Sequence, residues 1–105
     1  MKYLCVLSTV PNIKKAREIA GLLVSRGLAA CVQVLPGLES HYRWKGKKET
    51  SPEVLLIIKT KASAYKKLEM SLLKNHPYEV SELVALPITR GSKAYLDWID
   101  EEVTF

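Results

Sequence analysis

An unbroken run of apolar residues, Val54 to Ile58, stands near the middle of the chain. Its length and its content of valine and isoleucine are typical of a β-strand. A strand with one face in water alternates apolar and polar residues, so this run predicts a strand that is covered on both faces. One small domain must then cover two faces of a sheet, and this demand shapes the expected fold and assembly.

A long two-stranded ribbon is predicted from Leu28 to Lys59. Pro36-Gly37 interrupts its first strand, where a bend or bulge is expected rather than a reversal of the chain. Lys45-Gly46-Lys47 predicts the turn, because glycine adopts positive φ at no steric cost. Ser51-Pro52 lacks one backbone donor and fits an edge or irregular segment, after which Val54 to Lys59 forms the buried strand.

Three helices and two further strands complete the expected order. Asn12 is a good N-cap for a first helix, and Gly27 is expected in a left-handed C-cap after it. Ser63 is expected to cap a second helix that runs to Asn75 and ends before His76-Pro77. The remaining elements are strands at 3–9 and 82–88 and a short helix after Gly91-Ser92, with Tyr95, Trp98 and Ile99 on its buried side.

This order predicts an α+β, ferredoxin-like split βαβ fold in a single domain over residues 1–105, with a long β-hairpin ribbon and a short C-terminal helix. Right-handed crossovers place the first two helices on one face of the sheet. The other face then lacks a helical cover, and the third helix is too short to supply it. We therefore expect self-association, most simply sheet face against sheet face.

Composition narrows the class of protein. The net charge of +5 permits binding to nucleic acid, but the lysines are spread along the chain, so no nucleic-acid partner is expected. An RNA-recognition motif shares this topology, but Val54 to Ile58 lacks the aromatic residues on which such domains stack bases. No run is long enough for a membrane span and no signal peptide is evident, which favours the cytoplasm. A disulfide between Cys5 and Cys31 is possible but not expected there.

Several motifs, in order along nearly the whole chain, make the sequence resemble the CutA divalent-cation tolerance family. The most specific are the ribbon motif Tyr-x-Trp-x-Gly and the His-Pro-Tyr motif. The matching segments are Pro11-Asn12, Leu28 to Val32, Ser40 to Lys47, Glu53-Val54, Lys59-Thr60, His76 to Val80, Glu82 and Tyr95 to Trp98. Two residues depart from the family pattern: His41 replaces a frequent aliphatic residue, and Ser81 replaces a frequent proline.

The resemblance implies a cytoplasmic homotrimer, similar in shape to PII signalling proteins, that gives tolerance to copper and other divalent cations. It implies no catalysed reaction. The sequence also lacks a phosphate-binding glycine loop and a Gly-x-Ser-x-Gly motif, so no enzyme is expected. The alternative hypothesis is a PII-like trimeric signalling module that binds a small anionic ligand in clefts between subunits and reports to a protein partner.

Cys31, His76 and Glu82 are the candidate metal ligands, because together they offer sulfur, nitrogen and oxygen donors to copper or another weakly bound divalent cation. They lie far apart in sequence, and a trimer can bring them together across a subunit boundary. Each also has a structural interpretation. Cys31 can be a small buried residue, His76 can end a helix, and Glu82 can pair with Lys59.

A second set of candidates combines aromatic rings with one acid and one lysine. Such a set can line a cleft between subunits. It can equally form core and subunit contacts, which is the interpretation the spacing favours. Its members are Tyr42, Trp44, Glu53, Lys59, Tyr78 and Trp98.

Overall fold

The computed structural model describes residues 1–105 and contains one antiparallel sheet with three α-helices. The four strands are β1 (Tyr3–Val10), β2 (Cys31–Trp44), β3 (Lys47–Lys61) and β4 (Val84–Pro87). The helices are α1 (Ile13–Ser25), α2 (Tyr65–Asn75) and α3 (Lys93–Glu102). The strand order β2-β3-β1-β4 confirms the ferredoxin-like α+β fold.

The helices α1 and α2 cover one face of this sheet. Every second residue of the central strands points to them, and Val6, Leu56 and Ile58 are fully buried there. The side chains of Ile19 and Leu68 meet these residues from the helices. Burial of this apolar area, at about 25 cal/mol per Å², is the main stabilising term of the chain.

The ribbon extends past the end of β1. Because β1 ends at Val10, which pairs with Val54, the earlier part of β3 has only β2 as a neighbour. The register shifts between Leu35 and Leu38, where Gly37 has φ of 85°, and this confirms the predicted bulge. The turn at Lys45-Gly46 is also confirmed. The ribbon contributes to a molecule with extents of 44 × 25 × 23 Å.

Four predicted details of the elements are wrong. Strand β2 begins at Cys31, not Leu28, because the amides of Leu28 and Ala29 bond the carbonyl of Leu23 and close α1. Strand β3 is continuous through Pro52, whose missing donor falls where β3 has a single neighbour. Strand β4 covers only Val84–Pro87.

The fourth detail concerns Ser63. Its hydroxyl donates to the carbonyl of Phe105 at 2.8 Å instead of capping α2, and a short 3₁₀ turn at Ala62–Ala64 leads into that helix. The caps at Asn12 and Ser92 do form, each accepting a backbone N–H three residues on. No helix of the chain has both the length and the apolar character that a membrane crossing requires.

Helix α3 covers one end of the sheet face opposite α1 and α2, which we call the open face. Ile99 and Val103 are buried against Ala30 and Ala64, and Tyr3 packs on the same cluster. The Tyr3 hydroxyl donates to Asp100 at 2.6 Å. The predicted burial of Ile99 is confirmed, but Tyr95 and Trp98 lie at the surface of this chain.

Candidate functional site

A polar cluster around His76 holds the segment after α2 against the end of β1. His76 is the C-cap of α2 and is buried. Its Nε2 is 2.7 Å from the Thr9 carbonyl oxygen, and its Nδ1 accepts the backbone N–H of Tyr78 at 3.2 Å. Since a carbonyl only accepts and an amide only donates, these two contacts fit the tautomer that carries its proton on Nε2. Both ring nitrogens therefore have partners within the chain.

Tyr78 extends this cluster to the base of the ribbon. Its hydroxyl donates to the buried Glu53 carboxylate at 2.8 Å, and its ring lies 4.9 Å from that of His76. Burial raises the pKa of Tyr78 strongly, and the hydrogen bond to Glu53 raises it further. The phenol therefore remains a donor to the carboxylate across the physiological pH range.

A second cluster forms where α3 meets the open face. The Cys31 sulfur lies 3.5 Å from the Tyr95 hydroxyl, and the rings of Tyr95 and Trp98 are 5.5 Å apart. The hydrogen bond to Cys31 is the largest cause that raises the pKa of Tyr95 to about 12. Lys59 donates to Gln33 at 2.9 Å, and no ion pair joins Lys59 to Glu82 within this chain.

The two cysteines lie on the open face and cannot pair within one chain. Cys5 and Cys31 both face Lys59, from the strands on either side of β3. Two strand spacings separate their Cα atoms by about 10 Å. A disulfide needs less than about 7 Å between Cα atoms, so both thiols are free in one chain.

One chain does not bring the three candidate metal ligands together. Cys31 pairs with Lys59, whereas Thr9, which holds His76, pairs with Leu55. Four residues along β3 correspond to about 13 Å. Glu82 is exposed, and its backbone carbonyl accepts the Ser8 hydroxyl. No group of three or more histidine, cysteine or acidic side chains comes close enough to hold a metal ion.

The six aromatic and charged candidates divide between the two clusters. Glu53 and Tyr78 are in direct contact near His76, while Lys59 and Trp98 lie near Cys31. Tyr42 and Trp44 are exposed on the ribbon, where the Tyr42 hydroxyl is 3.2 Å from that of Ser51. These candidates therefore form no single cleft within one chain.

The middle of the open face is apolar and lacks cover within the chain. Leu35, Val84 and Leu86 are 52%, 48% and 49% exposed. The register places them beside other half-buried side chains of the same face, namely Cys5, Leu7, Leu55 and Ile57. This is the uncovered face that the run Val54 to Ile58 predicts.

The candidate site residues named from the sequence leave out three contributors: Thr9, Tyr95 and the pair Val84 and Leu86. Thr9 acts through its backbone carbonyl, which has no sequence signal. Tyr95 was assigned to the buried side of α3, although its hydroxyl reaches Cys31. Val84 and Leu86 are two residues apart, and this spacing is the one sequence pattern that places both side chains on the same face of a strand.

Fold and surface thus define a class: a ferredoxin-like domain with an uncovered apolar sheet face and two separate polar clusters. The family described as "CutA1 divalent ion tolerance protein" matches residues 4–102. The chain belongs to this CutA1 divalent ion tolerance family.

Relatives from several kingdoms support this membership. The "Divalent-cation tolerance protein CutA" of Thermus thermophilus is 50% identical over 96 residues, which cover 91% of this chain and 93% of that protein. The chloroplastic CutA of Arabidopsis thaliana is 47% identical and the human Protein CutA is 47% identical, over 90% and 87% of this chain. The chain spans only 52% and 51% of those two longer proteins.

Solved structures agree with the fold. The divalent cation tolerance protein of Thermus thermophilus superposes with a TM-score of 0.94 at 48% identity, covering 96% of this chain and 98% of that one. CutA1 from Oryza sativa also gives 0.94, at 43% identity over 98% of this chain and 94% of that one. These proteins share the whole architecture, including the ribbon.

Proposed function

We propose that this protein contributes to tolerance of divalent cations as a non-catalytic homotrimer that binds copper or another divalent cation weakly. Family membership over residues 4–102 is the observation that carries the role in tolerance. The Thermus thermophilus relative is named for the same role. The trimer and the metal are the parts that the experiments below test.

The open face supports the proposed assembly. Leu35, Val84 and Leu86 are each about half exposed on adjacent parts of one sheet face. A contiguous apolar patch of this kind marks a contact surface in a protein that functions in water. Further copies of the same face, arranged around a three-fold axis, are the simplest cover, since one surface then serves every subunit.

The exposed ribbon is the second proposed contact. Trp44 is 39% exposed near the ribbon tip, and the Lys45 ammonium lies 5.6 Å from the centre of its ring. Trp44→Ala should weaken the trimer, whereas Lys48→Ala on the same ribbon should not. Light scattering across a dilution series measures this, and an unchanged mass for Trp44→Ala at every concentration would remove the ribbon from the interface.

The proposed metal site combines Cys31, His76 and Glu82 from different subunits. Cys31 offers a soft sulfur whose single partner is Tyr95, and Glu82 offers an exposed carboxylate. His76 must give up the Tyr78 amide at Nδ1 before it can bind a metal there. Leaving that amide without a partner costs about 1–3 kcal/mol, which is a physical reason for weak binding.

Calorimetric titration tests this site. Copper is titrated anaerobically, because a thiol can reduce Cu²⁺, and zinc serves as the redox-inert comparison. The double variant Cys31→Ala, His76→Ala should lose the binding that wild type shows. The matched control, Cys5→Ala with His41→Ala, removes the chain's other cysteine and other histidine and should retain it.

Two results would reject this ligand set. Equal binding by wild type and the Cys31, His76 variant would dismiss the site. Loss of binding in the Cys5, His41 variant alone would move the metal to Cys5 on the open face or to the ribbon, where the His41 ring lies 2.7 Å from the Glu39 carboxylate. Circular dichroism of both variants separates loss of binding from loss of fold.

The other hypotheses have less support. The PII-like signalling module has none among the relatives, which are named for CutA or for cation tolerance. Location in the cytoplasm stays a prediction, because relatives include a chloroplastic protein and one titled periplasmic. Binding to RNA is not proposed, since no aromatic residue lies between Val54 and Ile58.

A further inference from the structure

A cavity of about 480 Å³ lies on the helix side of the molecule, between the end of α1, one side of α2 and the last residue. It is separate from the open face and from both polar clusters. Its lining combines three cations with a hydroxyl and three apolar side chains. These residues are Arg26, Leu28, Lys67, Met70, Ser71, Lys74 and Phe105.

None of the three cations of this cavity is paired with an acidic side chain. No acidic side chain lines it, and Arg26, Lys67 and Lys74 take part in none of the ion pairs of the structure. The final carbonyls of α1, from residues 22, 23 and 24, already accept backbone amides. The cations therefore remain available to an external anion.

One side of α2 fixes the spacing of the charges. Lys67, Ser71 and Lys74 repeat at helical spacing, so they share one side of the helix. Seven residues separate the two lysines by about 10 Å along the axis. Between them, the Arg26 guanidinium reaches the Ser71 hydroxyl at 3.4 Å, and Ser71 is buried at 8% exposure.

The apolar part of the lining is adjacent to these charges. The Lys67 ammonium lies 4.2 Å from the centre of the Phe105 ring, and Met70 is 66% exposed. An aromatic face and a flexible thioether favour a flat apolar group beside the anion. An inorganic anion alone would leave this surface in water.

We propose that this cavity binds a small organic anion, a phosphate monoester that carries an aromatic group. The guanidinium and the two ammonium groups bind the phosphate oxygens, and the Ser71 hydroxyl supplies a further donor. The aromatic group lies against Phe105 and Met70. This site is independent of the proposed metal function, because it shares no residue with the candidate ligands.

Nuclear magnetic resonance titration of ¹⁵N-labelled full-length protein at pH 8 tests the proposal, with phenyl phosphate, inorganic phosphate and phenol as separate probes. At this pH the phosphate is a dianion, because its second pKa is about 6. Phenyl phosphate should shift the amides of residues 26, 67–74 and 105 and saturate. Phosphate should bind several-fold more weakly at the same amides, and phenol should not saturate.

Two double variants with the same loss of charge provide the comparison. Arg26→Gln with Lys67→Gln should weaken phenyl phosphate binding at least about tenfold, the typical effect of losing a charged hydrogen-bond donor. Lys14→Gln with Lys66→Gln removes two exposed lysines of the same helices that lie outside the cavity, and should change binding less than about twofold.

Three results would overturn the site. Equal weakening in both double variants would show that only net charge matters. Shifts centred on the ribbon lysines would place the anion elsewhere. Equal affinity for phosphate and phenyl phosphate would remove the aromatic group from the proposal. A dispersed spectrum for each variant before titration confirms that it is folded.

Discussion

The two faces of the sheet differ although the same strands build them. On the helix face, Val6, Leu56 and Ile58 are fully buried. On the open face, Leu55 and Ile57 alternate with those residues and are only half-buried, and Leu86 is 49% exposed. One chain therefore buries the helix face completely and leaves apolar side chains of the open face partly exposed.

The difference between the two faces explains why Val54 to Ile58 is apolar throughout, instead of alternating apolar and polar residues. Val54 to Ile58 carries the residues of the helix face and of the open face in turn. If the open face met only water, polar residues at 55 and 57 would suit it better. The run is therefore consistent with the proposed assembly as well as with the fold.

The largest expected effect separates neighbouring leucines of β3. Leu56→Ala opens a cavity under both helices and should lower the free energy of unfolding by about 2–5 kcal/mol at every protein concentration. Leu55→Ala makes the same chemical change on the open face. Its effect should appear as easier dissociation of the assembly, with a smaller loss in the isolated subunit.

Urea unfolding at several protein concentrations measures both variants. A loss for Leu55→Ala that matches Leu56→Ala and does not vary with concentration would contradict the distinction between the faces. The m-value should stay the same in both variants if the unfolded state is unchanged.

A smaller effect is expected at the Tyr78 end of the sheet. Tyr78→Phe leaves the buried Glu53 carboxylate without its 2.8 Å donor and should cost about 1.5–3 kcal/mol. Tyr42→Phe removes a hydroxyl from the exposed ribbon and should cost less than about 0.5 kcal/mol. Thermal unfolding of both variants at pH 7 measures these losses of stability. Equal losses would contradict a stabilising role for the contact between Tyr78 and Glu53.

The smallest effect is a pH dependence at the Tyr95 end. The pKa of Tyr95 is raised from 10.0 to about 12, first by the hydrogen bond to Cys31 and then by burial. Above pH 10 the unfolded chain loses this proton first, so stability should fall as the pH rises towards 12. Tyr95→Phe should flatten that fall in alkaline unfolding curves.

Matched cysteine variants sharpen this prediction. Cys31→Ala removes the hydrogen-bond partner of Tyr95 and should also flatten the curve, whereas Cys5→Ala should change it less because Cys5 contributes least to the raised pKa. A slope that neither Tyr95→Phe nor Cys31→Ala alters would contradict the contact.

Local signals predicted most of the fold. The Asn12 cap, the bulge at Pro36-Gly37 and the break at His76-Pro77 depend on the backbone chemistry of those residues, so they can be recognised from sequence. Ser63 failed as a cap because it lies inside the 3₁₀ turn Ala62–Ala64, where its hydroxyl donates to the distant carbonyl of Phe105. Only the folded chain brings those two groups together.

The candidate site was less predictable. The sequence indicates Glu53, His76 and Tyr78 as candidates, but it does not indicate that they contact one another. It also groups Cys31 with His76, which lie at different ends of the sheet. Spacing along the chain does not give distances between strands. Both His76 ring nitrogens form hydrogen bonds to backbone groups, which any sequence supplies and which therefore leave no sequence signal.

The central claim is that the open face is a contact between subunits, and sedimentation velocity at micromolar concentration tests it most directly. Wild type should sediment at about three times the 11.8 kDa mass of one chain. A variant with Ile57→Glu on the open face should dissociate while keeping its helical circular dichroism. A wild-type protein that sediments as a monomer under these conditions would contradict the account.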